Sequence, residues 1–224
     1  MTNCLLCFQP VRQSASWEIS WLFEPLPICC DACLAGFEKL TGLLCKNCSK
    51  ESLDDVCEDC RSRTHFLDSN KSIYRYNDFA KDYMKKFKFQ GDYEIGAIFK
   101  KELRNFLSEK KEKIVPIPVS EMRKVERGFN QTTAILKQSG ILYEELLAKK
   151  HTEKQSKKTK RERLASEQTF YFSGKEIYES TEVILFDDIY TTGSTLNLAA
   201  QILKEAGVYK VSALTIFRQM IFIF

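Results

Sequence analysis

Four Cys-x-x-Cys knuckles crowd into the first 60 residues of this 224-residue chain: Cys4 with Cys7, Cys30 with Cys33, Cys45 with Cys48, and Cys57 with Cys60. A two-residue spacer lets both thiolates of a knuckle reach one ion. Two knuckles then complete a tetrahedral four-sulfur shell of the kind that suits Zn²⁺. Four knuckles therefore call for two zinc ions in a structural role, because four thiolates leave no open position for water. So short a segment, with little apolar core, needs such a staple, and metal binding supplies its folding energy. Disulfides are the competing account. The N-terminus MTNCLLCFQP lacks a basic stretch followed by an apolar one, so no secretory signal is visible, and a reducing cytoplasm favours metal. Two pairings stay open. In the sequential one Cys4, Cys7, Cys30 and Cys33 share an ion and Cys45, Cys48, Cys57 and Cys60 share the other; in the second the pairs cross. Cys29, the ninth cysteine, has the wrong spacing to Cys33 for a knuckle and reads as a small buried residue.

The cysteines end at position 60, and the charge changes sign there. Residues 1–60 carry four Lys/Arg against nine Asp/Glu, a net −5, whereas the remainder carries 30 against 21, a net +9. The overall +4 conceals this split. With 44% hydrophobic and 29% charged residues the composition is globular, and no apolar run approaches the roughly 18 residues of a membrane span. The expected map is a zinc-binding module over 1–62, a polar connection, and a second domain over 71–219.

In that second domain, residues 71–76 read as a first strand through Ile73, Tyr74 and Tyr76. A helix is expected over 79–89, burying Tyr83 and Phe87 and showing a basic face of Lys81, Lys85, Lys86 and Lys88, with Gly91 as its stop. A second helix over 93–108 aligns Ile95, Ile98, Phe99, Leu103, Phe106 and Leu107. Residues 113–119 (KIVPIPV) form a short apolar strand that its prolines exclude from a regular central ladder. The segment Arg127-Gly-Phe-Asn-Gln131 leads into a helix that ends near Gly140. Arg123 and Arg127, close to a strand's end, are candidates to hold an anion. Residues 149–163 (KKHTEKQSKKTKRER) carry eight Lys/Arg and two Glu, a net +6. Such a run is a solvated loop, a phosphate trap, or a contact for nucleic-acid backbone through Lys154, Lys157, Lys158, Lys160 and Arg161.

The most informative segment is VILFDDIYTTGST at 183–195. Four apolar residues in a row imply a strand buried on both faces, as in a parallel sheet. Asp187 and Asp188 at its C-terminal end lie where open α/β sheets bind ligands. Beyond them Thr191, Thr192, Gly193, Ser194 and Thr195 combine hydroxyls, a glycine and the start of a helix that runs to Gly207, which is an anion site. Carboxylates beside a phosphate cradle call for a ligand with both hydroxyls and phosphate, such as a ribose 5-phosphate. It is not a Walker A loop, because the Gly-Lys-Ser/Thr ending is missing.

This segment resembles the signature of type I phosphoribosyltransferases, which bind phosphoribosyl pyrophosphate (PRPP). The knuckles, FKFQG at 87–91, VPIP at 115–118, RGFNQ at 127–131 and the Asp-Asp/Thr-Gly segment, in this order, are similar to the ComF/ComFC late competence family. The resemblance spans almost the whole chain. It implies an α/β fold: a parallel-sheet phosphoribosyltransferase-like domain preceded by a small Cys-rich zinc-binding module. It implies that Asp187 and Asp188 hold the ribose hydroxyls, that residues 191–195 hold the 5′-phosphate, and that Mg²⁺ bridges pyrophosphate and ribose oxygens. It also implies a cytoplasmic protein acting in uptake of transforming DNA, recruited to the uptake machinery at the membrane. Single-stranded DNA and a ComFA-type helicase would be its partners. Three roles remain open: a competence factor with a PRPP-binding domain, a working transferase with an unknown acceptor, and a catalytically silent single-strand-binding module. The tail at 220–224, MIFIF, extends past the usual family end near Arg218 and reads as adventitious or docked.

Overall fold

The computed structural model describes residues 2–11, 28–149, 170–174, 177 and 180–220. The Cys-rich part contributes α1 (Asp31–Ala35) and α2 (Glu58–Arg61). Then follow β1 (Ser69–Arg75), α3 (Asp78–Phe89), a 3-10 helix (Tyr93–Phe99) continuing into α4 (Lys100–Leu107), and β2 (Lys113–Pro116). After α5 (Glu121–Arg127) and α6 (Gln131–Ser139) come the short strands β3 (Leu147–Lys149) and β4 (Phe170–Phe172), then β5 (Glu182–Tyr190), α7 (Ser194–Glu205) and β6 (Lys210–Arg218).

β1, β6, β5 and β2, in that spatial order, make a parallel four-stranded sheet, and β3 and β4 form a separate antiparallel ribbon. Side chains alternate across the sheet. Ile114, Ile184, Phe186, Leu214 and Ile216 face one core, which α3, α4, α6 and Cys4 and Cys33 complete. Val115, Val183, Leu185, Val211 and Ala213 face the other, closed by α7 and by Cys45, Cys48, Cys57 and Cys60. Each half of the Cys-rich segment therefore packs into a different face of the sheet. Surface pairs add to this attachment: Arg75 of β1 meets Glu38 and Glu51, contacts worth little individually in water.

Local chemistry explains the helices. Asn77 caps α3 by accepting from the Ala80 amide at 2.9 Å, and Ala80, Tyr83, Met84 and Phe87 follow at helical spacing on the buried side. Asn130 caps α6 in the same way, and Gly140, in the left-handed region at φ 68°, stops it. Strand β2 sits at the sheet edge, which is where Pro116 can be tolerated.

Two expectations need correction, and two elements went unread. The helix expected over 93–108 is divided: residues Tyr93–Phe99 wind as 3-10, where Gly96 lies so close to the Phe87 ring that a Cβ would be 3.3 Å away. The strand expected to reach residue 119 ends at Pro116, where the next residue's amide turns to the Phe186 carbonyl at 2.9 Å and the chain then leaves the sheet. Arg123 and Arg127 lie on a helix, α5, which buries none of its residues and so has no apolar stripe to announce it. Finally, β6 lies between β1 and β5 at the centre of the sheet.

Candidate functional site

The two groups of four cysteines come together in the sequential arrangement. Cys4, Cys7, Cys30 and Cys33 form one cluster, and Cys45, Cys48, Cys57 and Cys60 the other, with the sulfurs of each within 4.8 Å of one another. The Cys7–Cys30 and Cys48–Cys57 sulfurs are 3.7 Å apart. A tetrahedron with metal–sulfur bonds of about 2.3 Å has edges of about 3.8 Å. All nine thiols are free of disulfides, so both clusters could hold a metal ion. Cys29 belongs to neither: it is buried, with its sulfur 3.9 Å from that of Cys4.

Toward the C-terminal end of β5 the acidic pair straddles the sheet. The β2–β5 ladder stops at Pro116 opposite Phe186, so Asp187 and Asp188 project past it into a crevice between the two strands. The connections after β2 and β5 leave toward opposite faces, α6 to one core and α7 to the other. That makes the crevice a topological switch point, the place where such sheets bind ligands. Asp188 is buried and paired to Lys88 of α3 at 2.7 Å. Asp187 accepts the Asp188 amide at 2.9 Å on its Oδ1. Burial first, then the Asp188 charge, push the Asp187 carboxyl up to about 8.

The loop after β5 turns on Gly193, at φ 79°, where a Cβ would run into the Tyr190 ring and hydroxyl. The Thr192 and Ser194 hydroxyls lie 2.9 Å apart. Helix α7 starts at Ser194 after Gly193, which has no side chain to cap it; only the Ser194 amide finds a side-chain acceptor, the Thr192 hydroxyl at 3.4 Å, and such a helix start is a ready anion site.

Arg127, on α5, donates to Gln131 Oε1 at 2.7 Å and lies over the exposed Phe89 ring at 5.6 Å. Its Nε is buried with no hydrogen-bond partner among the described residues. Burial, then repulsion from Arg123, lowers its pKa from the usual arginine value, against the pull of Asp188. Asp187, Asp188, Arg127 and the loop of residues 191–195 thus gather at one sheet edge, while Arg123 is exposed on α5. Lys154, Lys157, Lys158, Lys160 and Arg161 lie outside the described residues, as does most of the apolar tail.

Three residues of the site escaped the sequence reading. Lys88 was visible only as part of a basic helix face. Arg218, at the end of β6, is buried and donates to the Thr191 carbonyl at 2.8 Å. Arg63 donates to the Thr192 carbonyl at 3.1 Å. Only the apolar run before Arg218 hinted that it could be buried.

No helix among the described residues is long and apolar enough to cross a membrane. A phosphoribosyl transferase domain model matches residues 94–221, the stretch that carries β2, β5, the acidic pair and the loop. Competence protein ComFC of Bacillus subtilis is 39% identical over 227 residues, covering 96% of this chain and 94% of its own. Competence protein ComFC of Streptococcus pneumoniae is 34% identical, over 96% of this chain and all of its own length. Competence protein F of Haemophilus influenzae is 27% identical over 69% of this chain and 75% of its own. With a parallel-sheet phosphoribosyl transferase domain and two four-cysteine clusters ahead of it, the chain belongs to the ComF/ComFC family of competence proteins.

Proposed function

We propose that this protein binds PRPP, or a related ribose 5-phosphate, at the β5 edge, and that it serves the uptake of transforming DNA with its relatives' competence role. One observation carries the reading: two adjacent carboxylates lie near the C-terminal end of an interior strand, beyond its pairing with β2, and two residues later that strand gives way to a glycine-turned, hydroxyl-rich loop at a helix start. Asp187 and Asp188 accept the ribose hydroxyls, and the amides and hydroxyls of residues 191–195 take the 5′-phosphate. Asp188 is ion-paired with Lys88, although its buried Oδ2 has no hydrogen-bond partner among the described residues, so a ribose hydroxyl that reaches Asp188 competes with that lysine. Mg²⁺ bound with the ligand would supply further neutralisation of its charge beside Asp187 and Asp188. The eight knuckle cysteines hold two zinc ions in a structural role.

Turnover of PRPP on an unknown acceptor is a second reading, and Arg127 favours it. Its partnerless Nε and the nearby Lys88 offer positive charge to a departing pyrophosphate, which is how such a transfer gains most of its acceleration. Contact with single-stranded DNA and with a ComFA-type helicase completes the proposed role, with the basic run as the strand contact.

Titration calorimetry of the metal-loaded protein with PRPP and Mg²⁺ tests the binding step. The wild type should bind, and Asp187→Ala combined with Asp188→Ala should abolish the heat. No binding by the wild type would overturn the reading, as would unaltered binding by the double variant. A pyrophosphate-release assay over bases, amines and DNA ends then separates turnover from binding.

A further inference from the structure

The second cysteine cluster lies against the back of the loop that follows β5, and one buried side chain spans the two. Arg218 ends β6 and is 5% exposed. Its Nε donates to the Cys48 carbonyl at 2.9 Å, and its Nη2 lies 3.8 Å from the Cys48 sulfur. Its Nη1 reaches the carbonyls of Thr191 at 2.8 Å and Tyr190 at 3.3 Å, and its guanidinium stacks over the Tyr190 ring at 4.5 Å. Arg63, three residues beyond Cys60, holds the next carbonyl, that of Thr192, at 3.1 Å. Two consecutive loop carbonyls are thus drawn toward the cluster, next to that of Tyr190, the last residue of β5, which also accepts the Gln219 amide at 2.9 Å.

This has a consequence for the other side of the loop. In a planar trans peptide the N–H points opposite to the C=O of the same unit. Fixing the carbonyls of residues 191 and 192 toward the cluster therefore aims the amides of Thr192 and Gly193 away from it. Those amides belong to the loop read above as the phosphate site. A thiolate cluster that holds a metal also keeps the Cys48 backbone rigid, which gives Arg218 a fixed anchor.

We propose that Arg218 is a positioning residue through which the metal-loaded second cluster sets the amide geometry of the phosphate loop. This rests on the reading of residues 191–195 as a phosphate site, and it assigns the second cluster a task beyond local folding. The guanidinium is required because one planar fork must serve Cys48 and the loop at once, which a lysine ammonium on a single stem cannot do.

Hydrogen–deuterium exchange of the full-length, metal-loaded protein tests the relay, comparing wild type, Arg218→Lys, Arg63→Ala and Arg61→Ala. Metal content is measured for each. Arg218→Lys should keep its metal and the slow exchange of the β5 and β6 cores, while the amides bonded to the loop's two ends, Asn197 to the Gly193 carbonyl and Gln219 to that of Tyr190, exchange about tenfold faster, as expected for losing a charge-assisted bond. Its PRPP–Mg²⁺ affinity should fall by a similar factor. Arg63→Ala should loosen the same amides less. Arg61 pairs with Asp54 on the cluster's outer surface, so Arg61→Ala should leave them as in the wild type. Wild-type exchange of the Asn197 and Gln219 amides in metal-loaded Arg218→Lys would overturn the relay. Should Arg218→Lys fail to fold, the Arg63 arm decides, with unchanged exchange of the same amides counting against it. A wild type that binds no PRPP would refute the phosphate reading alone, since the exchange comparison needs no ligand.

Discussion

Asp188 has a side chain only 6% exposed, and the charge that makes its burial tolerable comes from Lys88, itself 16% exposed and 2.7 Å away. Deleting one member of a buried pair strands the other in a poor solvent, which costs about 3–5 kcal/mol, whereas removing both is often nearly neutral. Lys88→Met should therefore lower stability by that order in urea unfolding. Adding Asp188→Asn to it should restore most of the loss. Equal stability of the single and double variants would mean that water or another cation already compensates Asp188. Asp187 behaves differently, because its carboxyl is pushed up to about 8 by burial and by Asp188. In the unfolded chain it sheds its proton near its ordinary value of about 4. Between those limits the folded state binds more protons than the unfolded one, so stability falls as pH rises, by at most about 1.4 kcal/mol per unit. Unfolding midpoints measured from pH 5 to 8 should decline with pH in the wild type and less so in Asp187→Asn. Identical slopes would show an Asp187 ionised across the whole range.

At the scale of elements, legibility followed burial pattern and local chemistry. Helix α3 could be read closely because Asn77 caps it and its apolar positions recur at helical spacing. The strand–loop–helix of residues 183–195 was readable because a run buried on both faces, two carboxylates and a glycine turn each leave a local mark. Strand β6 was missed although it is central. Its Ser212 and Thr215 interrupt the apolar run, and the structure shows why they are tolerated: Thr215 is fully buried, 2.6 Å from the Ser72 hydroxyl of β1, within a small polar network that includes Asn70. Helix α5 buries nothing, and β3 and β4 have three residues each, too few for a period to register. The roles of Lys88 and Arg218 come from contacts across 100 and 170 residues of chain, to Asp188 and Cys48, which no local pattern encodes.

For the molecule as a whole, the boundary near residue 60 that charge and cysteine content mark so clearly is not a boundary in packing. Phe37 lies between the two clusters in sequence, yet its ring packs at 5.0–6.0 Å from those of Tyr74, Phe79, Tyr83, Phe99 and Phe217, in the core of the sheet domain. The first cluster also touches α3, where Lys86 donates to the Leu6 carbonyl at 3.0 Å. A metal ion held at either cluster would thereby be coupled to one of the two cores, one on each face of the sheet. A module that folded alone would lose its metal and leave the sheet's unfolding unchanged. Here removal should weaken everything, since whatever binds only the native state stabilises it by mass action. Calorimetry of the metal-loaded protein should give one main transition, and a strong chelator should lower its midpoint by about 10 °C, the shift expected for roughly 3 kcal/mol in a chain of this size. The tyrosine near-ultraviolet signal, which reports Tyr74 and Tyr83 in the shared core, should melt with it. A chelated protein whose sheet melts at the metal-loaded temperature would show instead that Phe37 and the clusters rest on the domain without supporting it.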